Sequence, residues 1–317
     1  MKELAEFIRQ GTSFAVISHV SPDGDTMGSA AALLLALEKM GKKGQWFCEG
    51  GVPEDFMKVE EIARLVCPEK PKHFDSVICV DISSEDRMGS CLQLFKSIPR
   101  TAQIDHHITN TNFAGVNVMH PRNAAAFMML ELMDELGVEL DEHIARALFV
   151  GIATDTGRLS HAGVTAEDVA DTARLYAFPI RQEEIIAALF QTTTMKRTRL
   201  KGRAIEHLKS AFDGTVSYTY LDAADYAEFD ADSSDSEGVI EMCRGIEGTK
   251  IALFIREVPN GYKASLRCLP AYDVAAICTS FGGGGHKLAA GCTIEGGRDD
   301  ILNKLLQAIG EVLAWKA

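Results

Sequence analysis

An α/β protein is predicted, with a doubly wound parallel sheet in the N-terminal part and a smaller α/β domain after it. Three observations predict it. Through residues 1–190, short β-rich runs alternate with helical patterns, the order that gives a parallel sheet with crossover helices. Three of those runs, FAVIS, SVICV and TAQI, lead into aspartate or histidine: SHVSPDGD, Asp81 and DHH. Such residues belong at the carboxyl edge of a parallel sheet, where ligands bind. A polar stretch, residues 191–211, then separates this part from a second set of strands in residues 212–317.

The elements follow in order. FAVIS is a strand, and TMGSAAALLLALEKMGKKG a helix stopped by glycine. GQWFC is a second strand, VEEIARLV a short helix, SVICVDIS a third strand and TAQIDHH a fourth. AAFMMLELMDELG is a helix. DEHIARALFVGIATDTG is another, capped by Asp141 and running into a loop that carries Asp155. TTTMKRTRLKGRAIEHLK is a polar helical linker whose cations form a solvated face. TVSYTYL, KIALFIREV and YKASLRCL are strands of the second domain, with a loop and helix within the acidic stretch Asp222 to Glu241. YDVAAICTS is a helix, and FGGGGH opens a loop before LAAGCTI.

Composition narrows the class. With 317 residues, 46% hydrophobic and 24% charged, the chain is globular and long enough for two domains. A formal net charge of −13 argues against wrapping long nucleic acid, though not against a small phosphorylated ligand in a cleft holding cations. No apolar run spans a bilayer, the N-terminus has no apolar leader pattern, and the eight cysteines form no CxxC pair. Buried thiols in a reducing cytoplasm are expected, with no membrane partner; a homodimer is left open.

The acidic and histidine clusters carry the chemistry. His19, Asp23 and Asp25 have the spacing H-x3-D-x-D around a turn forced by Pro22 and Gly24, with Gly28 allowing close approach. One aspartate there would be an ordinary helix cap; two plus a histidine exceed what a cap needs. Asp81 or Asp155 alone would be a turn residue. Asp105, His106 and His107, adjacent at a strand end, make poor core and poor linker. At least four carboxylates and two histidines converging on one edge would repel one another without a cation. Two divalent cations, roughly 3.5–4 Å apart, would clamp a phosphoryl oxygen and bridge a water of lowered pKa. Donors rich in oxygen and lacking thiolate favour manganese, with magnesium as the alternative.

In the second domain Ser265 and Arg267 share one face of a strand. Gly282–Gly285, with Gly283, Gly284 and Gly285 before His286, would leave backbone N–H groups open as an anion nest. Lys287 and Arg244 are weaker candidates for the same role.

These residues resemble a known family. SHVSPDGD, Asp81, DHH and the aspartate of TDTG are similar to the four motifs of the DHH phosphoesterases, and SLR with FGGGGHKLAAG resembles their DHHA1 domain. Order and spacing are most similar to the nano-RNase/pAp phosphatases, over nearly the whole chain. The resemblance implies one cation held by His19, Asp23 and Asp81 and another by Asp25, Asp81, His106 and Asp155, with Asp81 bridging. It implies Asp105 orienting a histidine, His107 touching the scissile phosphate or leaving oxygen, and Ser265, Arg267, Gly283–Gly285 and His286 gripping substrate in a catalytic cleft between the domains. The substrates implied are short RNA oligonucleotides or small bisphosphorylated nucleotides. A phosphodiesterase for linear or cyclic dinucleotides, a manganese pyrophosphatase of the related DHH class and a non-catalytic nucleotide sensor are the alternatives. The sequence departs from the family pattern at Ala125, Ala126 and Phe127, and at Arg158, Leu159 and Ser160. Those departures bear on substrate preference.

Overall fold

The computed structural model describes residues 1–66, 73–161 and 163–314. Cys67, one of the thiols expected to be buried, lies outside the described residues. The chain divides into two compact units, Met1–Thr192 and Thr193–Ala317.

The first unit runs α1 (Lys2–Gln10), β1 (Ser13–Ile17), α2 (Gly24–Lys39), β2 (Lys43–Phe47), α3 (Glu60–Ala63), β3 (Ser76–Val80), α4 (Leu92–Ser97), β4 (Thr101–Asp105), β5 (Val116–Met119), α5 (Ala125–Leu136), α6 (Glu142–Asp155), α7 (Ala166–Leu175) and α8 (Gln182–Ile186). Its sheet is parallel throughout, in the order β2-β1-β3-β4-β5. Alternation along the strands supplies both faces. Phe14, Val16, Ile78, Val80, Ala102 and Ile104 pack with α1, α2, α5 and α6 in the larger core. Ala15, Ile17, Val77 and Cys79 face the other way, onto Ile82, Met88, Phe95 and Ile98. Burial on both faces is why β3 reads as an unbroken apolar run.

The second unit contains α9 (Met195–Glu206), β6 (Lys209–Ala211), β7 (Val216–Leu221), α10 (Ala223–Glu228), α11 (Val239–Arg244), β8 (Ile251–Val258), β9 (Gly261–Cys268), α12 (Val274–Ser280), β10 (Gly284–His286), β11 (Ala289–Glu295) and α13 (Arg298–Ala314). Its sheet is mixed, ordered β10-β11-β9-β8-β7-β6, with only β7 and β8 parallel. α9 buries Leu200 and Ala204 in this unit's own core beside Val239 and Phe254.

Three local expectations need correction. Asp155 is the last residue of α6 rather than a loop residue. β5 was not foreseen. Gly284–His286 is a short strand paired with β11, not loop, and Gly282 and Gly283 donate their N–H groups to Thr279 O (3.0 Å) and Cys278 O (2.9 Å). The end of α12 consumes those two donors, so Gly282 and Gly283 do not offer their N–H groups to an anion.

Candidate metal centre

The carboxyl edge of the first sheet assembles the clusters. β1 delivers His19 just past its end, β3 delivers Asp81, and β4 ends at Asp105 with His106 and His107 next. Asp23 is the N-cap of α2, its carboxylate accepting from Asp25 N and Thr26 N. The cap reading of Asp23 is therefore correct as far as it goes, but Asp25, in the first turn, does something else. It is fully buried, and its two oxygens accept from Ala125 N and from Ala126 N (2.9 Å) at the start of α5. α5 has no side-chain cap of its own; Asp25 supplies one from α2.

The close helix packing needs glycine. A Cβ on Gly28 would stand 2.4 Å from Ala147 O, and one on Gly151 would stand 2.7 Å from both Asp25 Oδ1 and Ala126 Cβ. Gly28 and Gly151 thus let α2 and α6 approach until Asp25 and Asp155 share one pocket. Ala125 and Ala126, departures from the family pattern, are the small residues that fit there.

Asp81 sits at the centre. It has φ of 58°, left-handed backbone that aspartate tolerates better than most residues. Its Oδ2 lies 3.7 Å from His19 Nε2; its Oδ1 lies 3.4 Å from His106 Nε2 and 3.5 Å from His107 Nδ1. His19 Nε2 is also 3.8 Å from Asp23 Oδ2, and His106 Nε2 is 3.7 Å from Asp25 Oδ2 and 3.4 Å from Asp155 Oδ2. Within each of the triads His19–Asp23–Asp81 and Asp25–His106–Asp155, ligand atoms lie within 4.8 Å of one another. Each oxygen of Asp81 therefore faces a different donor set.

The imidazoles are oriented by their other nitrogens. His19 Nδ1 faces Val20 O at 2.8 Å, and His106 Nδ1 faces Arg122 O at 2.8 Å. An Nδ1 proton donated to a carbonyl leaves the Nε2 lone pair for a cation. His107 is oriented differently: its Nδ1, 3.5 Å from Asp81 Oδ1, faces Asp105 Oδ1 at 2.7 Å and is held there by Asp105. Asp105 is fully buried and also accepts from Asn110 Nδ2.

Without cations this is an uncomfortable set of charges. Burial, then the charges of Asp81 and Asp155, hold the Asp25 carboxyl well above its ordinary range. Burial and Asp81 push Asp155 up to about 6. Asp81 is raised by burial despite the His106 imidazole 3.4 Å away. Burial alone would lower His106, but the Asp81 carboxylate 3.4 Å away and the Asp25 charge raise it to about 10. Asp81 Oδ1 is buried without a hydrogen-bond partner. An orphaned carboxylate oxygen between imidazoles costs a desolvation penalty that a divalent cation would remove. The donors present, carboxylate and imidazole with no thiolate, fit such an ion.

Several supporting residues were invisible in the sequence. Arg122, with a 10% exposed side chain, meets Glu131 (2.6 Å), Glu167 (3.3 Å), Asp168 (3.4 Å) and Asp171 (2.6 Å) while its carbonyl holds His106. Arg87 Nη2 lies 3.2 Å from His19 Nδ1. Asn110 completes the Asp105 arrangement. Most of their partners come from distant segments, and no local pattern announces them.

In the second unit Ser265, Arg267 and Gly282–Gly285 line one cavity of about 580 Å³ with Lys263 and residues of β11. His286 is exposed and outside that lining. Arg267 Nε pairs with Glu241 at 3.4 Å.

A five-stranded parallel sheet with a candidate carboxylate–histidine metal centre at its carboxyl edge, followed by a mixed α/β unit, is the class of protein these residues build. The DHH family N-terminal domain matches residues 13–152 and the DHHA1 domain residues 213–314. The chain is 32% identical over 305 residues to the bifunctional oligoribonuclease and PAP phosphatase NrnA of Thermus thermophilus, covering 94% of this chain and 89% of that one. The NrnA protein of Mycoplasma pneumoniae is 25% identical over 94% of this chain and 93% of its own length. An exopolyphosphatase-related protein from Bacteroides fragilis shares the fold, with a TM-score of 0.87 at 22% identity over 98% of this chain and 95% of that one. The chain belongs to the DHH/DHHA1 phosphoesterase family and is a hydrolase of phosphoester bonds.

Proposed function

We propose that the protein is a two-cation phosphoesterase acting on short phosphorylated nucleotides: short oligoribonucleotides, a nucleoside 3′,5′-bisphosphate, or both. The observation that carries this reading is Asp81, whose two oxygens face two donor sets. His19, Asp23 and Asp81 would hold one cation; Asp25, Asp81, His106 and Asp155 would hold the other. Manganese is the preferred ion for this oxygen-rich set, with magnesium the alternative. When bound, such ions stabilise charge on phosphoryl oxygens and lower the pKa of water.

The chain's own residues do the rest. Asp105, fixed by Asn110, accepts from His107 Nδ1 and favours the doubly protonated imidazolium, whose Nε2–H would donate to the scissile phosphate or the leaving oxygen. Ser265 and Arg267, with Gly283–Gly285 beside them, bind the anionic part of the substrate, and the exposed His286 next to the glycines is a further candidate for that contact. The naming of the Thermus and Mycoplasma relatives as bifunctional oligoribonuclease and PAP phosphatase supports the substrate class. Among the described residues no helix is long and apolar enough to cross a membrane. Among the described residues Cys79, Cys243, Cys268, Cys278 and Cys292 are buried, which suits thiols in a reducing compartment, and we place the enzyme in the cytoplasm.

The test is a substrate panel with manganese-loaded protein: a nucleoside 3′,5′-bisphosphate, di- to tetranucleotides, a linear cyclic-dinucleotide product, pyrophosphate and an RNA of about twenty nucleotides, a length at which backbone electrostatics dominate. Turnover of the bisphosphate or short oligonucleotides well above the others is expected. Preferential turnover of pyrophosphate or of the long RNA would overturn the reading.

A further inference from the structure

One face of the second sheet carries cations where the fold gains nothing from them. Leu253, Ile255, Ala264 and Leu266 turn to the core, so Phe254 and Arg256 of β8 and Lys263, Ser265 and Arg267 of β9 turn to the opposite face. In the antiparallel register Arg256 stands directly opposite Lys263. Like charges directly opposite on one face are destabilising. Neither side chain forms an ion pair among the described residues, in a chain whose formal net charge is −13. α11 packs on the Ala252–Phe254 part of this face, leaving the Arg256–Lys263 end open.

That end is a cavity. Arg256, Lys263 and Arg267 line a space of about 520 Å³ with Glu237 and Glu241, and Arg267–Glu241 is the ion pair formed there among the described residues. Lys263, Ser265 and Arg267 also line the neighbouring cavity beside Gly282–Gly285. The two spaces are thus one trough on the sheet, with Arg267 towards the glycines and an unpaired cation couple further along.

We propose that Arg256 and Lys263 form a second anion subsite, which binds a further phosphate of a short oligonucleotide whose first gripped phosphate is at Arg267. This rests on the substrate reading above. Lys263 and Arg267 lie four residues apart on β9, about 13 Å between Cα atoms at the strand rise. A chain of several nucleotides spans that distance; a nucleoside bisphosphate, with both phosphates on one ribose, does not need it. The subsite therefore favours oligonucleotides of three or four residues and leaves the bisphosphate reaction alone.

The test compares wild type with Arg256→Gln, which lies outside the cavity beside the glycines, both manganese-loaded and both checked by circular dichroism. kcat/KM is measured on a nucleoside 3′,5′-bisphosphate and on a 5′-phosphorylated tetranucleotide at two salt concentrations. The variant is expected to lose about tenfold on the tetranucleotide, with a shallower salt dependence, since each lost phosphate contact lowers the salt slope by about 1. Loss on the bisphosphate stays within about twofold. Equal losses on both substrates, or none on the tetranucleotide, would overturn the subsite. A wild type that turns over neither substrate refutes the substrate reading instead, together with the subsite built on it.

Discussion

Asp81 shows most clearly how a residue here is shaped for a ligand at the expense of the empty fold. Its backbone is left-handed, its Oδ1 is buried without a hydrogen-bond partner, and burial opposes its charge. Asp81→Asn should therefore leave the melting temperature of metal-free protein unchanged or higher, by calorimetry, while manganese binding collapses; a strongly destabilised metal-free variant would show that the carboxylate is structural. Arg122 is a positioning residue. Its carbonyl fixes His106 while four carboxylates fix its guanidinium. Arg122→Lys keeps the charge and loses the planar fork. It should weaken the cation held by His106 by about 10- to 100-fold and leave the one held by His19 unchanged. A uniform loss of both in a manganese titration would point to unfolding instead. Arg267→Ala should retain both cations and lose roughly 30-fold or more in kcat/KM on substrates bearing the gripped phosphate. A small chromogenic diester without that phosphate should lose far less.

At the scale of elements, the centre depends on how closely α2 and α6 approach. Gly28→Ala would drive a methyl into Ala147 O, which must force the helices apart. Overpacking of this kind costs about 1–3 kcal/mol. The expected result is a lower melting temperature together with weaker manganese binding, because Asp25 and Asp155 ride on the two helices; normal metal affinity in the destabilised variant would separate packing from the site. The strands that carry the clusters were legible because each is a short apolar run with a charged end, a local pattern. β5 was not, because Val116–Met119 alternates with polar Asn117 and sits at the sheet edge, where little burial marks it. The glycine run misled for a related reason: whether a backbone N–H is open depends on how α12 ends and on the partner strand β11, and neither can be read from four glycines. Asp23 as a cap and Asp25 as a buried acceptor also look alike in sequence; only the neighbouring helix α5 tells them apart.

For the whole molecule, protons and cations compete at one place. In the metal-free state His106 holds a proton up to about pH 10 and Asp155 up to about pH 6. Cation binding must expel these protons, so affinity should rise with pH from 5 to 8 and binding should release protons. Calorimetry in buffers of different ionisation enthalpy reads this directly; pH-independent affinity would contradict it. The acidic chain as a whole repels long polyanions, while the cations of the second sheet gather on one face. The central claim, that one carboxylate joins two cations, is tested most directly by electron paramagnetic resonance of the protein titrated with manganese. The account expects two ions per chain, about 3.5–4 Å apart, giving an exchange-coupled spectrum that disappears in Asp81→Asn. A single, uncoupled ion per chain at saturation would contradict it.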